Sequence, residues 1–182
     1  MKNILLSIAL FSGILLQSQI KDEITLDNGR KFLIGQISID DLKKAPYQSW
    51  FDQNFTNYQV DVNSIQSFST KLKEYNLLLF MGTWCGDSKR EVPRIVRILA
   101  EADFPMEQLK IVAVDRRKEF YKKSPGGEEW GLNIKRVPTL LFLKDGKEVN
   151  RLVESPRNNL EQDFVAIIGG QQYTPNYAQK TK

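Results

Sequence analysis

The strongest constraint on the fold is an apolar run at residues 77–81 that passes almost at once into a helical pattern. A run without polar alternation is typical of a strand buried on both faces of a sheet. Gly-Thr-Trp-Cys-Gly-Asp-Ser occupies residues 82–88, and apolar residues then recur at helical spacing over residues 92–99. The sequence therefore places Cys85 between a central strand and the start of a helix.

Patterns downstream of the cysteine predict a compact α/β order with a mixed sheet. Residues 111–114 form a second apolar run, and residues 137–143 a third after a charged stretch that contains Gly-Gly. Residues 148–153 return as an antiparallel strand after a turn at residues 144–147. The last helix is predicted to start at Ser155 and Pro156, as N-cap and first helical residue. This order of strands and helices predicts a single domain.

Residues 19–75 are predicted to form an N-terminal extension, residues 76–170 the main domain and residues 171–182 a polar tail. Asn28-Gly29 between two alternating runs indicates a hairpin. Asp40 or Asp41 is expected to cap a short helix. A further helix is predicted over residues 63–75, with its apolar residues on one face.

The first residues have the pattern of a secretory signal peptide. A positive start at Lys2 is followed by an apolar stretch at residues 4–16 and by small and polar residues up to Gln19. We expect cleavage after Ser18 and export to the periplasm or the outside of the cell, an oxidising environment. The alternative is an uncleaved membrane anchor.

Composition excludes several kinds of chemistry. The chain has no histidine and a single cysteine, so it holds no Ser-His or Cys-His pair, no cysteine-rich zinc site and no internal disulfide. No metal and no organic cofactor are expected. The net charge of +4 is spread along the chain, without a basic run suited to nucleic acid. We interpret this net charge as that of ordinary solvent-exposed side chains. The alternative is that it serves to bind an acidic partner.

The motif resembles the redox motif of the thioredoxin family. Trp84-Cys85-Gly86-Asp87-Ser88-Lys89 is similar to Trp-Cys-Gly-Pro-Cys-Lys, and Pro93 stands where the family carries a helix-kinking proline. Val137-Pro138-Thr139 resembles the family's cis-proline loop, and residues 142–148 resemble its final hairpin. The resemblance covers residues 77–169. It implies a thioredoxin-like three-layer α/β/α sandwich, with Cys85 facing the Pro138 loop across a substrate groove.

Three departures from the family motif concern its chemistry. Ser88 replaces the second cysteine, and Asp87 replaces the proline before it. Many members also carry a buried acid six residues before the first cysteine, where this chain has Leu79. The chain therefore lacks both the resolving thiol and the group that helps to deprotonate it.

A cysteine in the first turn of a helix is favoured as a thiolate by the macrodipole and by unpaired N–H groups. Ser88 is expected to donate a hydrogen bond to that thiolate, which makes Cys85 and Ser88 the candidate catalytic residues. Lys89 adds a weak favourable charge and Asp87 opposes it. The resemblance makes Trp84, Gly86, Asp87, Val137 and Pro138 the candidate substrate-binding residues.

The sequence favours a monothiol thioredoxin-like protein that forms or isomerises mixed disulfides. Its expected partners are exported proteins with thiols or disulfides and small thiols such as glutathione, without nucleic acid or a stable membrane insertion. Release from the mixed disulfide needs a thiol of the substrate or a small thiol. The alternative is a non-catalytic module that binds extended peptides at Pro138, with Cys85 incidental.

Overall fold

A six-stranded mixed sheet carries the cysteine-containing loop at its centre. The computed structural model describes residues 21–178, so the predicted signal peptide and its cleavage site lie outside the described residues. The strands lie in the order β1-β2-β4-β3-β5-β6, with β3 parallel to β4 and the other four pairings antiparallel. The strands are β1 (Lys21–Thr25), β2 (Lys31–Ile37), β3 (Asn76–Met81), β4 (Leu109–Ala113), β5 (Thr139–Lys144) and β6 (Lys147–Val153).

Helices that follow or separate these strands form the main core with the sheet. The described α-helices are α1 (Ile39–Leu42), α2 (Gln48–Asn57), α3 (Val62–Leu72), α4 (Gly86–Glu101) and α5 (Leu160–Ile168). Phe164 of α5 lies with its ring centroid 5.0 Å from Phe142 of β5 and 5.5 Å from Phe68 of α3. Aromatic packing of this kind buries a large apolar area and joins both helices to the sheet.

The opposite face of the central strands carries a smaller apolar cluster. Its fully buried members include Phe80 of β3 and Val112 of β4. Leu132 and Ile134 pack against it from the long connection between β4 and β5, and Cys85 packs against it from the motif. The predicted α/β class with a mixed sheet is confirmed, and the cysteine rests on the cluster that the β4–β5 connection covers.

The predicted N-terminal hairpin is present and belongs to the same sheet. β1 pairs with β2 across a turn in which Gly29 has a φ of +76°, a conformation that glycine adopts without strain. β2 in turn pairs with β4. Residues 21–37 are therefore part of the sheet on which the motif is built.

Two predicted helix starts were wrong. Ser38, and not Asp40 or Asp41, is the N-cap of α1, because Asp41 lies at the third helical position and completes a capping box with Ser38. α5 begins at Leu160 with Asn159 as its cap, rather than at Ser155. The reason is Asp163, whose carboxylate accepts the backbone N–H groups of two residues before the helix, at positions 157 and 158.

The buried carboxylate of Asp41 gives a pH-dependent contribution to stability. Burial alone raises its pKa, but hydrogen bonds from Ser38 and Lys21 outweigh this effect and lower the pKa to about 2. A lowered pKa stabilises the fold above about pH 4, the range of the unfolded pKa, and this contribution disappears as the pH falls toward 2.

We expect Asp41→Asn to lower the free energy of unfolding by about 1–2 kcal/mol at pH 7 and to flatten its decline between about pH 4 and pH 2. Denaturant titration at several pH values measures both effects. Asp40→Asn is the matched control, since Asp40 is the exposed neighbour of Asp41. Equal pH profiles for wild type and Asp41→Asn would contradict this account.

Candidate functional site

Cys85 occupies the N-cap of α4. Its backbone is extended, with φ −91° and ψ 130°, and its side chain makes no capping hydrogen bond. The first amides of a helix have no acceptor within the helix, which leaves the N–H groups of Gly86, Asp87 and Ser88 available beside the sulfur. The thiol is half-buried. A reagent can therefore approach it.

The loop before β5 lies opposite this thiol. The Val137–Pro138 peptide bond is cis, as the resemblance predicts. Cys85 Sγ donates a hydrogen bond to Val137 O at 3.3 Å, while Pro138 O accepts the N–H of Glu154 at 2.7 Å and so fixes the loop to the end of β6. Within residues 21–178, Val137 N–H has no hydrogen-bond acceptor. The loop thus contains, in the residue whose carbonyl contacts the sulfur, an N–H without a partner among the described residues.

Ser88 does not take the position expected for activating the cysteine. Its side chain is fully buried, and its Oγ accepts the N–H of Gly82 at 3.1 Å. Among the described residues no hydrogen bond joins Ser88 to Cys85. The hydroxyl oxygen instead ties the first turn of α4 to the end of β3. Leu79, where many family members carry an acid, is fully buried in the main core.

Trp84 is held by one hydrogen bond and by packing against two neighbours. Its Nε1 donates to Val114 O at 2.8 Å, and its ring centroid lies 5.6 Å from that of Tyr121. A Cβ at Gly82 would lie 2.7 Å from the indole, closer than real Cβ atoms approach. Glycine at 82 is therefore required for this position of the indole, which forms a wall beside the thiol.

The two remaining motif residues differ in their surroundings. Gly86 is exposed, and a Cβ there would meet nothing within 4 Å, so the structure does not require glycine at this position. The Asp87 carboxylate accepts a hydrogen bond from Arg90 at 2.7 Å, and Arg90 also donates to the buried Glu91 at 2.5 Å. The hydrogen bonds that Arg90 donates to Glu91, and then to Asp87, raise the pKa of Arg90. The predicted opposition of Asp87 to the thiolate is thus reduced.

Two contacts of the site were missed by the sequence reasoning. Buried Thr83 accepts the N–H of Leu33 through its Oγ1 at 3.0 Å, which fixes β2 to the motif loop. Tyr121 lies on the β4–β5 connection and covers Trp84. Neither contact follows a local spacing pattern. The only signal for Tyr121 was its place in the charged stretch between two predicted strands.

Residues 21–178 contain no group of three His, Cys, Asp or Glu side chains that is arranged to hold a metal ion. No helix in that range is long and apolar enough to cross a membrane.

A half-buried thiol at a helix N-terminus, opposite a cis-proline loop on a mixed sheet, defines a thioredoxin-fold site. The family model for thioredoxin matches residues 54–166. The chain belongs to the thioredoxin family.

Several curated plant proteins are similar to it. A thioredoxin H-type from Populus jackii is 28% identical over 89 residues, which are 49% of this chain and 57% of that protein. A thioredoxin H-type from Oryza sativa subsp. indica is 29% identical over 103 residues, 55% and 76% of the two chains. Thioredoxin H-type 1 from Nicotiana tabacum is 31% identical over 86 residues, 47% and 60%. The matches to the poplar and tobacco proteins thus cover less than two thirds of those proteins.

We expect Gly82→Ala to displace the Trp84 indole and to lower the free energy of unfolding by about 1–3 kcal/mol, because the new methyl group meets the ring and the Val114 hydrogen bond is lost. The NMR signal of the indole N–H and a denaturant titration measure the two effects. Gly86→Ala is the control, since its methyl group has open space, and its stability should stay within about 0.5 kcal/mol. An unshifted indole signal in Gly82→Ala would refute the steric argument.

Proposed function

We propose that this protein performs thiol–disulfide exchange through its single cysteine, Cys85, as a monothiol member of its family. The observation that carries the proposal is the half-buried thiol at the N-cap of α4, 3.3 Å from the Val137 carbonyl of the cis-proline loop. Helix N-termini favour the thiolate, which is the nucleophile in exchange. The names of the plant relatives agree with this class of activity.

Deprotonation of Cys85 changes which groups its sulfur can bond. The thiol donates to Val137 O, but a thiolate can only accept. An N-cap side chain accepts from the second and third helical N–H groups, which here belong to Asp87 and Ser88. The backbone of the first turn thus stabilises the anion, and the Asp87–Arg90 pair limits the repulsion from the nearest carboxylate.

The exchange cycle balances without a second cysteine in the chain. The Cys85 thiolate attacks one sulfur of a substrate disulfide, so that a mixed disulfide forms and the other substrate sulfur leaves as a thiolate. A second thiol then attacks the substrate sulfur of the mixed disulfide and regenerates the Cys85 thiolate. When that thiol belongs to the same substrate and is not the sulfur that left in the first step, a new substrate disulfide forms and the result is isomerisation. When it is a small thiol such as glutathione, the substrate remains bonded to that thiol.

Ser88 has no thiol to perform the second attack, and Leu79 provides no acid or base below it. The mixed disulfide is therefore long-lived until an external thiol arrives. A second cysteine in the same chain would attack the mixed disulfide at a high effective concentration, and this chain has no second cysteine.

The cis-proline loop provides the binding surface for the substrate. The Val137 carbonyl lies beside the sulfur, and together with the N–H of the same residue it suits backbone pairing with an extended segment. Trp84, Gly86 and Asp87 are sequence neighbours of the same thiol, and Pro138 is a buried residue of the loop. Together these residues place a substrate cysteine within reach of Cys85.

A second candidate function is peptide binding without chemistry. It is favoured by the hydrogen bond of the thiol to Val137 O and by the absence, among the described residues, of any hydrogen bond from Ser88 to the sulfur. The same backbone groups bind an extended peptide whether or not Cys85 reacts. In that case the folded thiol is unreactive toward disulfides.

Ser88→Cys tests the monothiol mechanism directly. Residues three apart at a helix start bring their Cα atoms within the range of a disulfide. We expect the variant to form an internal disulfide, to shorten the lifetime of mixed disulfides with substrate and to gain partial disulfide reductase activity. The gain is partial because Leu79 has no group that can accept a proton from the buried second thiol. Mass spectrometry of the mixed disulfide over time, without added thiol, measures its lifetime.

Ser88→Ala is the matched control for this change. It removes the acceptor of the Gly82 N–H without adding a thiol, so it should cost about 1–3 kcal/mol of stability and leave the lifetime as in wild type. Equal lifetimes in wild type and an oxidisable Ser88→Cys would show that resolution at position 88 is not the missing step. Failure to form the internal disulfide would show that the two side chains do not meet.

We also propose that the chain is exported, on the signal-peptide pattern of residues 1–18. Mass spectrometry of the exported protein should find its N-terminus within about three residues of Gln19. A membrane-bound protein that still begins at Met1 would contradict both the cleavage and the oxidising environment.

A further inference from the structure

An open cleft of about 410 Å³ lies beside the two residues that precede the cysteine, Thr83 and Trp84. Ten residues line it, and none of them is acidic. Four of the ten are cationic: Arg30, Lys31, Lys89 and Arg116. The charges come from the β1–β2 turn, the start of β2, the first turns of α4 and the β4–β5 connection. The β1–β2 hairpin, α4 and the β4–β5 connection thus all contribute positive charge to one cleft.

Most of this charge has no counterion within the protein. Lys31 pairs with Glu23 at 2.8 Å. Arg30, Lys89 and Arg116 form no ion pair within residues 21–178. Arginines elsewhere near the motif are neutralised, as shown by the pair of Arg117 with Asp115. Unpaired cations that share a cleft repel one another, and an anionic ligand relieves this repulsion.

The walls of the cleft are aromatic. Trp50, Trp84 and Tyr47 line it together with the cations. Tyr47 is buried and fixed, because its hydroxyl donates to Glu23 at 2.9 Å. Apolar walls concentrate the electric field of the charges in the cleft. They also provide packing surface for the alkyl chains of a bound peptide.

The cleft adjoins the motif loop, although Cys85 and Val137 do not themselves line it. Trp84 is a wall of the cleft and the residue before Cys85, and Lys89 lies one helical turn after Cys85. A polypeptide that reaches the sulfur along the Val137 backbone can therefore extend into the cleft. This proximity favours a segment of the substrate itself as the occupant, rather than an unrelated ligand.

We propose that this cleft binds an acidic segment of the disulfide-bearing client, close in sequence to the cysteine that Cys85 attacks. The proposal rests on the proposed thiol–disulfide exchange and adds a substrate class to it. Glutamate or aspartate side chains pair with Arg30 and Arg116, which present guanidinium groups suited to carboxylates. Complementary charge raises the association rate and rejects basic segments.

Binding can be measured without the redox step. We would titrate the protein with a cysteine-free peptide rich in glutamate and follow the fluorescence of Trp50 and Trp84, in a Trp130→Phe background that removes the third tryptophan. The acidic peptide should bind with an affinity that falls steeply with salt, and the same peptide with glutamine for glutamate should not bind. Equal binding of both peptides would overturn the proposal.

Variants locate the binding surface. Arg30→Gln/Arg116→Gln should weaken binding of the acidic peptide about tenfold. Lys110→Gln/Lys147→Gln removes the same net charge at exposed positions outside the cleft, and should change binding by less than about twofold. Equal losses in the two double variants would show a general charge effect and refute the site. Tighter binding of a single-stranded oligonucleotide or of glutathione than of the peptide would refute the proposed occupant.

An exchange assay separates this proposal from the one on which it rests. Disulfide-containing peptides with acidic, neutral or basic flanks are mixed with the wild-type protein, and the rate of mixed-disulfide formation is measured. Faster reaction of the acidic peptide supports both proposals. Equal rates for all three peptides overturn the acidic preference and leave exchange intact. Peptide binding without reaction of any disulfide overturns the exchange function and leaves the cleft intact.

Discussion

The hydrogen bond from the Gly82 N–H to the buried Ser88 Oγ joins the end of the central strand to the first turn of the helix that follows it. The turn from β3 into α4 places Cys85 at the N-cap of the helix, with the unpaired amides of the first helical turn beside it. Two more hydrogen bonds hold the same loop: Thr83 is bonded to Leu33 of β2, and Trp84 is bonded to Val114, the residue after β4. The position of the thiol depends on these three bonds together.

Replacement of the second cysteine by serine thus has two effects. It removes the thiol that would resolve a mixed disulfide, and it supplies a hydroxyl acceptor that fixes the motif loop. A hydroxyl oxygen is a better acceptor of an N–H than a thiol sulfur, which is only a weak acceptor. In the proposed mechanism, the hydroxyl of Ser88 holds the motif loop, and release of the mixed disulfide depends on an outside thiol.

The elements with strong local patterns were predictable from the sequence. The apolar run of β3, the helical spacing of α4 and the Asn28-Gly29 turn depend on neighbours in the chain, and all three are present. The partner of Ser88 was not predictable, because it depends on where the end of β3 lies relative to the first turn of α4. The predicted start of α5 was wrong for a similar reason, since the side chain of Asp163 accepts backbone N–H groups that precede the helix.

The central claim is that the folded protein makes Cys85 a nucleophile. The most direct measurement is the rate at which Cys85 reacts with a small neutral disulfide, in the folded protein and in the same chain in denaturant, over a range of pH. We predict a folded thiol that reacts about tenfold or more faster than the unfolded one near pH 7 and forms one mixed disulfide per chain. Reaction only after denaturation would make Cys85 a structural residue and contradict the account.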